Sequence, residues 1–341
     1  MLLSLSDDAG AVLAIDLSGV DIRAAIITPN GRRLATRELA FDGHGQDAVL
    51  RQVGQIAAEL SKQANGLEVA LLGIGVSVPG TVDCRSGTIV DVSHLDLKGV
   101  ALGPWLSRQL GLEVYLEHDT VAAAYAEKHA GAGRRADHLI FITVGGGIGA
   151  GLVLEDRIYR GEAGGAGEIG HVVVEFDGPE CVCGKRGCLE AVASATALIR
   201  AAETAVIDGK SVGLRQRSVS TGESLSVLDI VEVASHGDAE AIRLLDLEAD
   251  YLARAIGTVT SLLDIRLVII GGEDALLTNA VLQRVSAALP RYQLYSHRVD
   301  IVRAELGQDA ALQGVAALAL RSFFGLTGFK GPAELASQLV D

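Results

Sequence analysis

Aromatic side chains are scarce in this chain of 341 residues, at 4% of the total. Its core must therefore be filled by aliphatic residues, mostly Ala, Leu, Val and Ile, within a hydrophobic share of 49%. No apolar run reaches the ~20 residues of a membrane-spanning helix. No basic segment followed by an apolar one opens the chain, as a secretory signal would. The expected setting is cytoplasmic and reducing, with no membrane partner. Basic residues are also in deficit: 29 Lys and Arg face 43 Asp and Glu, a net charge of −14. A chain of that sign is repelled by nucleic acid unless a basic module is added. Cysteine is rare too, with four in all, yet three of them fall in one short stretch.

What is abundant is glycine, 41 residues, set among short aliphatic runs. That pattern suits an α/β chain of alternating strands and helices, and the length allows two domains. Val12–Asp16, Ile22–Thr28 and Arg33–Leu39 read as three strands, the last two joined through Pro29-Asn30-Gly31. Val49, Val53, Ile56 and Leu60 have helical spacing over 46–63, and Val69–Val78 reads as a buried strand. Further strands are expected at 113–116, 139–144, 152–154 and 267–270. Helices are expected at 120–130, 191–204, 226–235, 239–262 and 310–323. Residues 208–223 read as an exposed polar excursion and 327–341 as a loose tail. Cys84 has no local partner and reads as an isolated thiol.

The most informative stretch is Gly161–Glu190, GEAGGAGEIGHVVVEFDGPECVCGKRGCLE. His171, Cys181, Cys183 and Cys188 form H-x9-C-x-C-x4-C, a full ligand set for tetrahedral zinc. The competing reading, a disulfide and a spare thiol, fits a reducing setting poorly, and Cys181 and Cys183 are too close to pair without strain. Gly184 and Gly187 allow the tight turn between Cys183 and Cys188. Glu168 and Glu190 flank the cluster. They are either solvated loop charges or, with His171, three groups aimed at one polar ligand.

E-I-G-H followed by C-x-C-G-x-x-G-C-L-E resembles the ROK family of repressors, open reading frames and kinases, and the likeness extends from about Val12 to about Leu320. The resemblance implies an actin/hexokinase-like (ASKHA) fold of two α/β domains around a sugar-binding cleft. Carried over, the domains are 1–118, with the helix at 310–325 packing back on it, and 119–309, with the zinc loop at 168–190. It also implies Zn2+ on His171, Cys181, Cys183 and Cys188, and sugar contacts at Glu168, His171 and Glu190. His118 and Asp119 match the family's N-D motif, whose acid is the catalytic base in the kinases and would join the sugar contacts. By itself Asp119 reads as a helix N-cap. Val78-Pro79-Gly80-Thr81-Val82-Asp83 resembles the loop beside the sugar, and His94 stands where relatives carry asparagine.

The nucleotide side departs from the kinase pattern. Asp16 and Gly19 remain of D-x-G-G-T, but Ser18 and Val20 replace a glycine and the threonine, and Asp21 adds charge. Gly145 and Gly147 remain of the second phosphate turn, with Gly146 where kinases carry threonine. Gly271 and Gly272 are followed by Glu273 in place of a third glycine. These changes lead to the expectation of a sugar-responsive transcriptional regulator with a degenerate ATP site. DNA is then a partner only if a helix-turn-helix lies upstream of Met1. The alternative is a hexose or amino-sugar kinase using ATP/Mg2+, with Asp119 as base. A homodimer or higher homo-oligomer is the family habit.

Overall fold

The computed structural model describes residues 9–17, 21–162, 164–222, 224–272, 279–293 and 298–325. The expectations placed on Ser18, Gly19, Val20, Glu273 and the tail lie outside the described residues, as does the side chain of His94.

The chain forms two units, one of Met1–Ala136, Gly151–Ala166 and Asp309–Asp341, the other of Asp137–Ala150 and Gly167–Gln308. In the first unit, β1 (Ala11–Asp16), β2 (Asp21–Ile27) and β3 (Arg33–Ala40) form an antiparallel meander. β4 (Leu71–Val78) and β8 (Val114–His118) add in parallel, giving the order β3-β2-β1-β4-β8. All six residues of β1 are buried because both sheet faces are covered, which explains its unbroken apolar run. Leu13 and Ile15 pack in one cluster with Val53, Ile56 and Leu60 of α1 (Gln46–Gly66) and Leu102 and Leu106 of α2 (Leu102–Leu110). Val12 and Ala14 point the other way, into a cluster with Ala122 of α3 (Asp119–Ala130) and Val315 and Ala319 of α10 (Ala310–Phe323). The last helix thus packs on the first sheet. α3 falls in the first unit, where it packs against α10, β8, β4 and β11.

The register of this sheet sets up chemistry. Asp16 at the end of β1 lies opposite Arg23 of β2 and Ser77 of β4. A further sheet, β5 (Thr81–Asp83), β6 (Thr88–Val92) and β7 (Leu97–Val100), was not anticipated; its strands are too short to show a period.

The second sheet has the order β11-β10-β9-β12-β13, built from β9 (Leu139–Val144), β10 (Ile148–Leu154), β11 (Arg157–Tyr159), β12 (Leu267–Gly272) and β13 (Asp300–Arg303). β12 runs parallel to both β9 and β13. Two expectations change here. The helix expected over 191–204 is two helices, α4 (Leu189–Ala193) and α5 (Ala195–Ile207), because Ser194 turns extended and its side chain caps the second by accepting from the Ala197 N–H. The expected polar excursion contains α6 (Val212–Thr221). Ser211 caps it by accepting the Leu214 N–H at 3.0 Å, Asp238 accepts the Gly213 N–H, and Leu214 is fully buried. α7 (Val227–Ser235), the 25-residue α8 (Ala239–Leu263) and α9 (Asn279–Ala288) complete the described helices of this unit.

Candidate functional site

The Cys/His loop of the second unit is shaped before any metal is considered. One 3-10 turn, Ile169–His171, follows Glu168. Val173 bridges Cys188, Glu180 bridges Arg186, and the His171 carbonyl accepts from Lys185 Nζ at 2.8 Å. Gly184 and Gly187 have φ of +85° and +68°, and a side chain at 187 would collide with the Glu175 carbonyl. The loop is also tied to α8. Tyr251 hydrogen-bonds Glu175, and Arg254 donates to the Val174 carbonyl at 2.9 Å while lying over the Tyr251 and Tyr292 rings.

The ligand atoms of His171, Cys181, Cys183 and Cys188 all lie within 4.8 Å of one another. Cys183 Sγ and Cys188 Sγ are 3.7 Å apart, and Cys181 Sγ is 3.5 Å from His171 Nδ1. Tetrahedral zinc with ordinary bond lengths needs edges of ~3.8 Å between two sulfurs and ~3.5 Å between sulfur and nitrogen. Both observed edges fit. A disulfide does not, since its sulfurs would be ~2.05 Å apart, and all four cysteines are free thiols. Nδ1 of His171 faces the sulfurs, whereas Nε2 is 4.0 Å from the Glu168 carboxylate. The imidazole thus turns one nitrogen to the sulfurs and the other toward the Glu168 side, without a hydrogen bond to that carboxylate.

Glu190 lies in the first turn of α4 and accepts the Ile148 N–H at 3.0 Å. Gly147 makes room for it: a Cβ there would meet Glu190 Oε2 at 2.8 Å. The Gly145 N–H donates to the Gly147 carbonyl, so the turn spends that amide internally, and the Ile148 N–H is taken by Glu190. Gly146 carries no such demand, since a Cβ would meet only Thr196 Oγ1 at 4.0 Å. At the end of β12, a Cβ on Gly271 would meet the Phe141 ring at 2.6 Å, and one on Gly272 would collide with the Val144 carbonyl. Strand packing alone explains those two glycines.

In the first unit, Asp16 is fully buried, and both of its oxygens are engaged. Ser77 Oγ donates to one oxygen at 2.6 Å, and Arg23 Nη2 meets the other at 2.5 Å. No local pattern in the sequence marks Arg23 or Ser77; only the strand register brings them to the acid. Asp119 is not the N-cap. His118 is, with Nδ1 accepting the Thr120 N–H at 3.2 Å, and Asp119 is the first helical residue. The Asp119 carboxylate accepts that same N–H at 2.6 Å and the Thr120 hydroxyl at 3.1 Å. Its side chain keeps 16% exposure, yet burial of the rest pushes its pKa up, against the opposing pull of His118 and with Asp16 adding to the rise.

Cys84 is not isolated. Its thiol donates to Glu117 Oε1 at 3.4 Å, and burial next to that carboxylate pushes the thiol up to about 12.

Known proteins share this architecture along nearly the whole chain. A glucokinase of Thermotoga maritima is 32% identical over 312 residues, covering 90% of this chain and 96% of that one. A xylose repressor of Caldicellulosiruptor bescii is 28% identical over 327 residues, covering 94% and 80%. The crystal structure of a ROK family transcriptional regulator, a homologue of the E. coli MLC protein, superposes with a TM-score of 0.83 at 27% identity, covering 94% and 81%. The fold is the actin/hexokinase-like fold that the sequence led us to expect. The ROK family model matches residues 12–322, and the chain belongs to the ROK family.

Proposed function

We propose that this protein is a sugar-binding, zinc-stabilised member of the regulator branch, with an ATP site that no longer supports phosphoryl transfer. The sugar contacts in this proposal are Glu168, His171 and Glu190 of the second unit. Zinc on His171, Cys181, Cys183 and Cys188 would fix the loop and hold the His171 ring by its Nδ1. Nε2 would then be presented beside Glu168 as a hydrogen-bond donor to a hydroxyl. Carboxylates and a donating imidazole suit a ligand rich in hydroxyls and without charge.

The observation that carries the regulator reading is the state of Asp16. Kinase chemistry depends on holding a triphosphate and its metal in line and neutralising their charge. The acid that remains from that machinery is already neutralised by Arg23 and bonded by Ser77. Gly146 offers no hydroxyl where kinase relatives place threonine. The rival reading, an ATP-dependent hexose or amino-sugar kinase, is favoured by Asp119. Its raised pKa makes the carboxylate a better proton acceptor, as a general base for a sugar hydroxyl requires.

A thermal-shift panel of hexoses, pentoses and N-acetylated amino sugars tests the ligand class. At least one sugar should raise the unfolding midpoint, and Glu168→Ala should remove that rise without lowering the midpoint of the sugar-free protein. If no sugar stabilises the protein at millimolar concentration, the assignment fails.

A further inference from the structure

Of the four side chains of metal-ligating type, Cys181 and Cys183 sit in a turn that closes on itself. The Cys181 N–H donates to the Lys185 carbonyl at 2.8 Å, and the Gly184 N–H to the Cys181 carbonyl at 2.9 Å. His171 and Cys188 belong instead to two segments that run side by side, bridged at Val173 and Cys188. The Leu189 N–H donates to the Val172 carbonyl at 2.9 Å, and the Val174 and Glu175 N–H groups share the Gly187 carbonyl at 2.9 and 3.1 Å. The place of His171 therefore depends on where residues 172–175 are held.

α8 holds that segment from outside the loop. Tyr251 and Arg254 are three residues apart and so share a helix face. Tyr251, itself buried, donates its hydroxyl to the Glu175 carboxylate, and Arg254 Nη1 donates to the Val174 carbonyl at 2.9 Å. The guanidinium is fixed on its other sides as well. Nη2 meets Asp250 at 3.1 Å and the Tyr292 hydroxyl at 3.4 Å, and the Tyr251 and Tyr292 ring centres lie 5.6 and 5.4 Å from its carbon. Gly257 lets Tyr292 come this close, since a Cβ there would meet the Tyr292 carbonyl at 2.7 Å. Asp250 does not depend on Arg254, because Arg291 and the Tyr292 hydroxyl bind it at 2.8 and 2.6 Å. Arg254 Nε is buried with no hydrogen-bond partner among the described residues. A residue that served stability alone would avoid that cost, and local costs of this kind gather at sites with another task.

With a metal on His171, Cys181, Cys183 and Cys188, the reading on which this inference rests, we propose that Arg254 is a positioning residue of the metal loop, assisted by Tyr251. Together they pin Val174 and Glu175 to the 25-residue helix α8, so that His171 stands at the sulfurs before the metal arrives. A segment ordered in advance does not have to be ordered by the ion, and the ion is held more tightly. Without Arg254 the ion itself orders residues 172–175 and is released sooner.

The test uses the full chain loaded with Co2+, whose absorption reports sulfur and nitrogen ligands in a tetrahedral field, and follows its transfer to EDTA. Arg254→Gln should release cobalt about tenfold or more faster than the unaltered protein, with weakened or shifted tetrahedral bands. Arg254→Lys keeps the charge and loses the fork, and should fall between the two. Tyr251→Phe should show a smaller effect of the same sign. Arg284→Gln removes an ion pair with Asp246 on the same helix, away from the loop, and should release cobalt like the unaltered protein. An unchanged rate and spectrum in Arg254→Gln, an equal acceleration in Arg284→Gln, or release that only keeps pace with global unfolding of the variant would each overturn the proposal. If the unaltered protein takes up no cobalt, the metal reading falls, and the role of Arg254 falls with it.

Discussion

Two charged centres of this protein handle the same problem in opposite ways. The Cys/His loop of the second unit gathers four side chains of metal-ligating type, with the Lys185 ammonium bonded to the His171 carbonyl; one S···S and one S···N edge already have the lengths of a tetrahedral site. The Asp16 centre of the first unit holds a carboxylate, and the fold supplies the cation, Arg23, from the neighbouring strand. One centre has the side chains that could hold a metal from outside. The other is closed by its own chain. A family resemblance carries both motifs over together, but physical chemistry separates them, because a carboxylate already paired and hydrogen-bonded gains little from a further ion.

The comparison can be broken most forcefully at the metal side. Cys183→Ala, or removal of metal by a chelator, should lower stability by several kcal/mol, since structural zinc binding is folding energy of ~10–16 kcal/mol in small zinc domains. Metal analysis of the purified protein should give about one zinc per chain, and the variant should retain little. A metal-free protein with an unchanged unfolding midpoint would remove this half of the account.

Next in size is the closed centre. Arg23→Ala leaves Asp16 buried without its cation and should destabilise the protein by ~3–5 kcal/mol in denaturant titration. In that variant alone, added Mg2+ should recover part of the loss. A cost below ~1 kcal/mol would mean that Arg23 is a surface ion pair of the ordinary kind.

Glu248 of α8 sharpens the same contrast, since it is a buried carboxylate given no cation at all. Neither of its oxygens has a hydrogen-bond partner among the described residues, and burial raises its pKa from 4.5 to about 8. The folded state therefore keeps a proton that the unfolded chain releases above pH 4.5. Between about 4.5 and about 8 the unfolded state binds fewer protons, and stability falls as pH rises through that window. Glu248→Gln should flatten this slope and stabilise the protein at pH 8 by on the order of a few kcal/mol. Parallel pH–stability curves for the variant and the unaltered protein would contradict it.

The smallest effect belongs to Gly146. Room for a Cβ means that Gly146→Thr should change stability by no more than ~0.5 kcal/mol. It should also fail to create kinase activity while Arg23 closes Asp16. A large loss of stability would show that packing, rather than lost function, keeps glycine there.

How far the sequence could be read depended on the range of the interactions. The meeting of His171, Cys181, Cys183 and Cys188 was legible because the four lie within 18 consecutive residues and their spacing is chemical. The strands of the first sheet were legible from their buried runs. The Asp16–Arg23 bridge was not, because arginine on a strand carries no signal until register places it opposite the acid. Nor was the Cys84–Glu117 bond, which joins residues 33 apart in sequence. Asp119 was read as a cap because Asp before a helix usually caps. Here His118 takes that place with its ring nitrogen, and the helix starts one residue earlier than the local pattern suggests. α6 was missed for a similar reason: Ser211 and Asp238, which fix its first turn, lie 27 positions apart.

The central claim, a sugar-binding protein whose nucleotide site is closed, is tested most directly by a coupled ADP-release assay. The zinc-loaded protein would be supplied with ATP/Mg2+ and, in turn, glucose, N-acetylglucosamine and N-acetylmannosamine. The account predicts no turnover above background with any of them, alongside a sugar-induced rise in the unfolding midpoint. Turnover of ~1–100 per second, an ordinary kinase rate, would contradict it and make Asp119 the catalytic base.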